Sequence, residues 1–481
     1  MAGACLSLGS RHRRGAQVAG ALLAVAAMAF LFSTLACGGV TPGTTSLPVT
    51  SVSSVSSTDT TGSAVGTAGD WPTYHHDAAR SAISSDQAAL GRVKQTWTSA
   101  ALDGALYAQP LVVGDTVIAA TESDSVYALS ATSGATLWRA NLGSPVPGSE
   151  LPCGNIDPSG ITGTPVVDVA GGIIYAVAFL HGGPHHELFA LDLATGKVRW
   201  HLTVDPPGLS ALVEQQRGAL ALTGGRVYVP FGGLYGDCGQ YKGAVVSVPA
   251  GGSGALTSYE VPTSRMAGIW NPGGLLVDPS GDLWAVTGNS ESQSSFDYGN
   301  SVLRLSPSLK VLDYFAPGDW ARLNAGDLDL SSLDPVLLPG GLVLAVGKTG
   351  TAYLLDAGNL GHVGTAIATT NIGSSPFGTA AVLGARVFVP CTGDLIALDT
   401  SATGLRVAWK VAGRAGAPIV AAGHVWYLGY DGVLRAVDPV SGSVAFTLEL
   451  TRPVSRFVTP SAANGRLFVA DGAKITAVSL R

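Results

Sequence analysis

Three histidines lie close together in the sequence HGGPHHEL: His181, His185 and His186. Imidazole nitrogens are common ligands of transition metals, so this cluster is a candidate metal site. The surrounding glycines and proline predict a loop between two strands, and a solvated loop is the interpretation that the sequence favours. Two carboxylates, Glu122 and Asp124, follow a predicted strand. They are candidates either for a charged site at the centre of the fold or for orienting a turn.

The chain lacks the short motifs that mark several classes of enzyme. It has no G-x-S-x-G, no H-E-x-x-H, no C-x-x-C and no glycine-rich phosphate-binding loop. The formal net charge of −6 provides no basic footprint, so a nucleic-acid partner is not expected. Glycine accounts for 64 of the 481 residues and charged residues for 12%, a composition that favours many short strands and tight turns.

The N-terminus predicts export. Residues 1–37 combine three arginines, the apolar run Val18–Leu35 and small residues before Cys37. They resemble a bacterial lipoprotein signal, in which Cys37 would be lipidated after cleavage on its N-terminal side. The run is also long enough to remain as an uncleaved membrane anchor. Residues 38–69 are rich in Ser, Thr and Gly and have no aromatic residue, which predicts a flexible tether. We therefore expect an extracytoplasmic protein, anchored at the membrane through its N-terminus or secreted.

Three cysteines follow the predicted signal and tether, namely Cys153, Cys238 and Cys391. Export would bring them into an oxidising compartment, where one disulfide and one remaining thiol are permitted.

A repeated unit of two strands and a turn must position these residues. Its clearest copy is Leu188–Trp200 (LFALDLATGKVRW), in which a strand with alternating apolar residues leads to a turn at Gly196. Further copies are Val126–Trp138, Leu395–Trp409 and Leu434–Phe446. Each follows a strand of the VYA or VWY type, before which comes another strand that often carries a proline. Four short strands in each of several units of about 40–60 residues are typical of a β-propeller.

Eight such units predict an all-β fold, an eight-bladed β-propeller of four-stranded blades over residues 70–481. The last unit stops after its third strand, Lys474–Leu480, while Arg92–Thr98 is an outer strand without a unit of its own. Pairing of these two strands would close the ring and remove its open edges.

Tryptophans recur at one place in the repeats, at Trp97, Trp138, Trp200 and Trp409. They are candidates for ligand-binding platforms. Packing between adjacent blades is the favoured interpretation, since an amphipathic ring finds both apolar surface and a hydrogen-bond acceptor there.

The ALDLATGKVRW-type repeats, together with Asp70–Ala82 (DWPTYHHDAARSA), resemble the quinoprotein family of eight-bladed propellers. That family includes alcohol dehydrogenases that bind pyrroloquinoline quinone and non-enzymatic relatives such as the outer-membrane assembly lipoprotein of the same shape. In the dehydrogenases the quinone lies in the central funnel on a tryptophan floor, beside a calcium ion and under a disulfide of adjacent cysteines. The repeat motif is specific for the fold and says little about function.

The resemblance implies a site within two neighbouring repeats. Trp270 in GIWNPGG corresponds to the floor, and Asn289 in VTGNSES to the calcium-binding asparagine. Asp327, with Asp329 beside it, resembles the stretch that holds the catalytic base, although the tryptophan that normally precedes it is displaced. Lys348 in VGKTGTAYLLD matches the cation that holds the quinone carbonyls. The alternatives are blade packing for Trp270, turn capping for Asn289 and Asp327, and a solvated charge for Lys348.

Two parts of the family pattern are missing. The calcium-binding glutamate should fall in Gly236–Val245, and the aligned residue is Cys238; Asp237 could replace it only in a reshaped loop. Calcium needs several oxygen ligands, so a calcium site is not expected. The adjacent-cysteine lid is reduced to Cys153. Under the resemblance both cysteines face the funnel mouth, and with export this suggests a Cys153–Cys238 disulfide, leaving Cys391 as a buried thiol.

Two functions remain open from the sequence. The favoured one is a ligand-binding or protein-interaction scaffold with a degenerate quinoprotein site, which binds a small molecule or a protein in the funnel or on a face of the propeller. The alternative is an alcohol or sugar dehydrogenase that uses pyrroloquinoline quinone, with Asp327 as general base. The loss of the calcium ligand disfavours the enzyme, because the metal serves as the Lewis acid that activates the quinone.

Overall fold

The computed structural model describes residues 69–481 except residues 86, 88, 452 and 454–456. The predicted signal over residues 1–37, its Cys37 and the predicted tether up to residue 68 lie outside the described residues. The described part contains 34 strands, numbered β1 to β34 in chain order, and one short α-helix.

Each blade is an antiparallel sheet whose four main strands follow one another from the axis to the rim. Blades one to four contain, from the innermost strand outwards, β2 (Leu111–Val113), β3 (Thr116–Thr121), β4 (Ser125–Ser130) and β5 (Thr136–Asn141); β6 (Val166–Asp168), β7 (Ile173–Leu180), β8 (His185–Asp192) and β9 (Val198–Thr203); β10 (Glu214–Gln215) with β11 (Ala221–Thr223), β12 (Arg226–Gly233), β13 (Ala244–Pro249) and β14 (Thr257–Glu260); and β15 (Leu276–Val277), β16 (Leu283–Val286), β17 (Val302–Leu305) and β18 (Val311–Ala316).

Blades five to eight repeat this order. They contain β19 (Val336–Leu338), β20 (Leu342–Val346), β21 (Thr351–Asp356) and β23 (Ala368–Asn371); β24 (Ala381–Leu383), β25 (Arg386–Pro390), β26 (Asp394–Ser401) and β27 (Gly404–Ala412); β28 (Ile419–Ala421), β29 (His424–Leu428), β30 (Val433–Val437) and β31 (Val444–Glu449); and β32 (Ser461–Ala463), β33 (Arg466–Asp471), β34 (Lys474–Ser479) and β1 (Lys94–Thr98).

The ring closes through the first and last strands of the chain. β1 pairs antiparallel with β34, with Lys94 opposite Ser479 and Thr98 opposite Thr476. The predicted all-β, eight-bladed propeller and its mode of closure are therefore confirmed.

Burial within a blade decreases from the axis to the rim. In blade two, the six central residues of β7 are buried, whereas every residue of the outer strand β9 is exposed or half-buried. Prolines immediately precede five of the innermost strands, at Pro110, Pro165, Pro335, Pro418 and Pro460. Proline is tolerated at the start of a strand because it removes no hydrogen bond from the interior of the ladder.

Blades four and five depart from the repeat. After β21 the chain forms β22 (His362–Val363), which pairs in parallel with β18 at the rim of blade four, and only then returns to its own blade as β23. The helix, α1 (Trp320–Ala325), lies in the connection between the two blades. Within the described residues, no helix has the length and apolar character needed to cross a membrane.

The four repeated tryptophans each pack against the next blade in the ring, which confirms the packing interpretation. The indole Nε1 of Trp138 in blade one donates a hydrogen bond to the carbonyl oxygen of Leu193 in blade two, at 3.2 Å. Its ring covers Gly196, the glycine of the repeat turn, which has φ of 71°. Trp97, Trp200 and Trp409 cover the equivalent turn glycines Gly134, Gly252 and Gly442. The turn glycine is thus required both for its positive φ and for the space that the neighbouring ring occupies.

Replacement of Gly196 by alanine is expected to lower the free energy of unfolding by about 2–3 kcal/mol, because the new Cβ overlaps the Trp138 ring in addition to straining the backbone. Gly208→Ala is the matched control. Gly208 has φ of 81° but nothing lies within 4 Å of a Cβ built there, so only the backbone cost of about 1 kcal/mol applies. Equal melting temperatures for the two variants would show that the tryptophan contact does not constrain this turn.

A segment ahead of the first blade, Asp70–Ser84, ties the innermost strands together. Its backbone hydrogen-bonds to residues in the innermost strands of blades one, two, four, six and seven, namely Val112, Val167, Val277, Val382 and Val420. Since the innermost strands surround the axis, a segment that bonds to five of them fills the axis at that level. The sequence motif placed this stretch in the propeller but predicted no structural role for it.

Arg80 is the side chain that holds this segment in place. Nε donates to Gly273 O at 3.1 Å, Nη2 to Leu220 O at 3.0 Å, and Nη1 to Thr73 Oγ1 at 2.5 Å and to Tyr74 O at 3.0 Å. Arg80 is almost fully buried. The segment is therefore fastened to the loops of blades three and four by one buried guanidinium group.

Candidate functional site

Two sets of loops emerge at the same end of the propeller. The leading loops run from the outer strand of one blade into the innermost strand of the next, and the inner loops join the second and third strands of a blade. In a four-stranded antiparallel blade both sets leave from the same face. Together they line a cavity of about 690 Å³.

All four residues implied by the resemblance line this cavity. Trp270 lies in the leading loop of blade four and Asp327 in that of blade five, while Asn289 and Lys348 lie in the inner loops of the same two blades. The propeller therefore brings together side chains that are up to 78 residues apart (348 − 270) in the sequence.

Trp270 is held in a narrow slot. A Cβ built on Gly232 would lie 3.0 Å from Trp270 Cβ, and one built on Gly288 would lie 3.2 Å from its Nε1. Both distances are too short for an unstrained contact, so the two glycines permit the close approach of the indole. This arrangement fixes the ring at the wall of the cavity.

Lys348 is surrounded by carboxylates. Its Nζ lies 2.5 Å from Asp329 Oδ2 and 3.1 Å from Asp327 Oδ1. The Asp327 side chain is 68% exposed, whereas that of Asp329 is 7% exposed and also accepts a hydrogen bond from the Asn289 backbone N–H at 2.8 Å. Burial raises the pKa of Asp329, and the Lys348 ammonium and the Asn289 amide oppose this rise. The structure thus places Asp327 at the rim and Asp329 in the interior of the cluster.

A disulfide joins Cys153, in the leading loop of blade two, to Cys238, in the inner loop of blade three. It packs in a small apolar cluster with Val146, Leu151, Phe179 and Leu234. The same two loops carry cavity-lining residues, including Asn155 and Tyr235. The disulfide therefore links two loops that line one side of the cavity.

Known proteins are similar to this chain in sequence and in fold. The family model described as outer membrane protein assembly factor BamB matches residues 54–307 and 348–481. The chain belongs to the BamB family. A curated relative, polyvinylalcohol dehydrogenase from Sphingopyxis sp. (strain 113P3), is 26% identical over 352 residues, which cover 62% of this chain and 50% of the relative. The chain thus matches about half the length of that protein.

Solved structures share the fold of this BamB-family chain. A quinohemoprotein alcohol dehydrogenase from Pseudomonas putida HK5 superposes with a TM-score of 0.67 at 14% identity, covering 86% of this chain and 80% of the other. BamB from Moraxella catarrhalis superposes with a TM-score of 0.54 at 18% identity, covering 81% and 98%. At these identities the likeness establishes the propeller fold alone.

The calcium ion of the quinoprotein dehydrogenases does not fit the residues of this BamB-family funnel. Cys238, at the position of the expected glutamate, is consumed in the disulfide. The Asp237 carboxylate accepts a hydrogen bond from the Tyr241 hydroxyl at 2.6 Å, and Asp329 is already paired with Lys348. The described residues contain no cluster of three or more His, Cys, Asp or Glu side chains with metal-binding geometry. The Lys348 ammonium is instead the cation that neutralises this cluster.

An aromatic wall and two arginines complete the cavity, and sequence reasoning missed them. Trp270 and Phe377 both pack against Phe457, with ring centroids 6.2 and 6.3 Å apart respectively. Arg217 and Arg414 come from the leading loops of blades three and seven. A signal was present: Tyr107, Arg217, Phe377 and Phe457 each precede the first residue of an innermost strand by four positions, in front of Leu111, Ala221, Ala381 and Ser461. Aligning the leading loops with one another would have identified these four residues, but not Arg414, which lies five positions before Ile419.

The remaining candidates have other surroundings. The Glu122 carboxylate is buried and accepts hydrogen bonds from Gly160 N–H at 2.7 Å and Thr162 Oγ1 at 3.1 Å. Burial raises its pKa to about 7 and that of the neighbouring Asp124 to about 9, and neither residue lines the cavity. The free thiol of Cys391 does line it, and burial raises its pKa to about 12, which makes it a weak nucleophile.

The histidine cluster separates in the structure. His185 and His186 lie in strand β8, where adjacent side chains point to opposite faces. His186 is buried against Phe179 and its Nδ1 lies 2.8 Å from Asp205 Oδ1, whereas His185 lies near Glu187. His181 contacts Glu150 instead. The three imidazoles thus have three different partners.

Proposed function

We propose that this BamB-family propeller is an exported protein that binds a small organic ligand in its funnel. The observation that carries the proposal is the convergence of Trp270, Lys348, Asp329 and the aromatic wall on one cavity of about 690 Å³, two of whose lining loops are joined by a disulfide. A concave site with apolar walls and a few fixed polar groups is the usual form of a small-molecule site. Export is supported by the signal-like residues 1–37 and the following tether-like residues 38–69.

Pyrroloquinoline quinone is the ligand class that the resemblance suggests, and the cavity residues fit a flat ring system of that kind. Trp270 offers a ring face, and the Lys348 ammonium and the Asn289 side-chain amide, which both belong to residues that line the cavity, offer polar contacts to quinone oxygens. When bound, the quinone supplies reversible two-electron redox chemistry. The carboxylates that line the cavity in the described part of the chain are already paired with Lys348 or hydrogen-bonded to Tyr241, so we propose binding that does not depend on calcium.

Binding of pyrroloquinoline quinone to the purified protein, followed by absorbance and tryptophan fluorescence, tests the proposal. We expect saturable binding that is unchanged by chelation of calcium and weakened at least tenfold by Trp270→Ala, because the variant loses the stacking surface. Trp320→Ala is the matched control, since Trp320 packs on Phe296 and does not line the cavity. Absence of binding, or binding that Trp270→Ala leaves intact, would overturn the proposed site.

A second candidate is an alcohol or sugar dehydrogenase. It is favoured by the carboxylate of Asp327, which lies at the rim of the cavity beside Lys348 and is accessible to a substrate hydroxyl, and by the relationship to a polyvinylalcohol dehydrogenase. Asp327 would act as the general base in such a reaction. Reduction of a redox dye by the quinone-loaded protein, with alcohols, sugars and polyvinyl alcohol as substrates, tests this candidate. Turnover that Asp327→Asn abolishes would support it, and binding without turnover would exclude it for these substrates.

Membership of the BamB family also supports a protein partner, bound on a propeller face or at the funnel mouth. Anchoring at the membrane through Cys37 or through an uncleaved N-terminal run remains a proposal drawn from the sequence. Mass analysis of the N-terminal peptide of the exported protein distinguishes a lipidated Cys37 from an intact leader.

A further inference from the structure

Two cations of the cavity have no carboxylate partner among the described residues. The Arg217 guanidinium donates one hydrogen bond, to Gln215 Oε1 at 3.1 Å, and lies over the Phe457 ring with 5.7 Å between its Cζ and the ring centroid. Arg414 is exposed and also lines the cavity. A guanidinium group has five N–H donors arranged to match a carboxylate, so both groups retain donors for a ligand.

The acidic residues of the cavity are committed elsewhere. Asp327 and Asp329 pair with Lys348, and Asp237 accepts the Tyr241 hydroxyl. Neither arginine forms an ion pair with these carboxylates or with any other described residue. The cavity lining therefore has three cations and three carboxylates, but its charge is unevenly distributed. Arg217 is influenced electrostatically by the buried Glu122 carboxylate but forms no ion pair with it, and Arg414 has no ion-pair partner among the described residues.

The two arginines lie on opposite sides of the ring. Arg217 belongs to the leading loop of blade three and Arg414 to that of blade seven, four blades apart in a ring of eight. The aromatic rings of Trp270, Phe377 and Phe457 pack together in the same cavity, and the Phe457 ring lies against the Arg217 guanidinium. A ligand that pairs with both arginines must carry at least two acidic groups, and the aromatic rings that line the same cavity favour a flat ligand.

We infer that the funnel selects a flat, aromatic ligand with at least two acidic groups, which Arg217 and Arg414 hold from opposite sides. This inference rests on the proposed function, because it specifies the ligand class of the same cavity. Two charge-assisted contacts and stacking between them discriminate strongly against a neutral analogue of the same ring. Neither arginine is among the residues that the resemblance assigned to the quinone site.

Pyrroloquinoline quinone, a flat tricarboxylic acid, and its neutral trimethyl ester are matched probes for calorimetric titration of the purified protein. We expect the acid to bind at least 100-fold more tightly than the ester. Arg217→Gln and Arg414→Gln should each weaken binding of the acid at least tenfold and leave binding of the ester unchanged, while Arg217→Lys should recover part of the loss. Arg406→Gln, on the outer strand β27 and paired with Asp399, is the matched control with no expected effect. Thermal melts establish that each variant is folded.

The outcomes separate the two proposals. If the ester binds as tightly as the acid, or if the arginine variants bind the acid normally, the funnel binds a ligand but the arginines do not select it, and the inference is wrong. If neither probe binds the wild-type protein, the proposed function is wrong and the inference falls with it. Preference for the acid that is lost in both variants supports the inference.

Discussion

Replacement of Arg80 by methionine is expected to lower the free energy of unfolding by about 3–5 kcal/mol, because buried acceptors lose their donors when the guanidinium is removed. The carbonyl oxygens of Gly273, Leu220 and Tyr74 and the Thr73 hydroxyl all depend on this one side chain. Arg80 also connects the axial segment to the loops of two blades. Its loss should therefore loosen the segment as a unit, and hydrogen exchange of Asp70–Ser84 should rise with the fall in melting temperature.

Two further variants separate the role of charge from that of geometry. Arg80→Lys keeps the positive charge but cannot reach four acceptors, so we expect an intermediate loss of stability. Arg406→Met removes an arginine that is paired with Asp399 on the exposed outer strand β27, and should cost less than about 1 kcal/mol. A melting temperature of Arg80→Met equal to that of wild type would show that the segment does not need this anchor.

The second large expected effect is a loss of stability as the pH rises from 6.5 to 8. Burial raises the pKa of four carboxyl groups, to about 7 for Glu122 and Asp334, about 8 for Glu214 and about 9 for Asp124. In the unfolded chain these groups titrate near 4. Between these values the folded protein holds protons that the unfolded chain has released, so the free energy of unfolding falls as the pH rises.

The size of the expected loss of stability follows from how far the pKa of each carboxyl group is raised in the folded protein. For Glu214, the interval from pH 6.5 to its folded pKa of about 8 corresponds to on the order of 2 kcal/mol. Asp124 contributes in the same direction over the same interval. Burial lowers the pKa of His75 to about 3, so its opposite contribution is confined to pH values below about 6.5 and does not interfere.

Calorimetric melts at pH 6.5 and pH 8, at one scan rate, check this prediction. The melting temperature of the wild-type protein should be several degrees lower at pH 8, and Glu214→Gln should reduce the difference, since glutamine can still accept the Lys242 N–H and does not ionise. Asp438→Asn, in an exposed turn where the pKa is lowered by hydrogen bonds from Ser441, should leave the difference unchanged. A wild-type protein with the same stability at both pH values would contradict the prediction.

The architecture could be predicted from the sequence because the residues that determine each blade lie close together in the chain. In Leu188–Trp200, thirteen residues contain the alternating apolar residues, the turn glycine and the terminal tryptophan. Copies of this stretch elsewhere in the sequence predict the other blades. The ring closure was also predictable. The N-terminal part of the propeller has an outer strand without a partner and the last blade lacks its outer strand, so pairing the two is the only arrangement that completes the blade. The departure at β22 was not predicted, since a two-residue strand that joins the neighbouring blade has no periodicity to detect.

Only part of the candidate site could be predicted from the sequence. The family resemblance pointed to Trp270, Asn289, Asp327 and Lys348, and all four line one cavity. It gave no reason to distinguish the exposed Asp327 from the buried Asp329, because both stand in the same short stretch and burial depends on how the loop is folded.

Sequence alone therefore determined the number of blades, the class of fold and the approximate location of the site. Only the tertiary structure decided which side chains share the cavity and that Asp70–Ser84 fills the axis. It also showed that Arg217 and Arg414 line the cavity without an ion-pair partner in the described part of the chain. The physical reason is the range of the interactions. A blade is stabilised by hydrogen bonds between strands that are neighbours in the chain, whereas the funnel is made by loops from all eight blades, whose side chains meet only when the ring is closed.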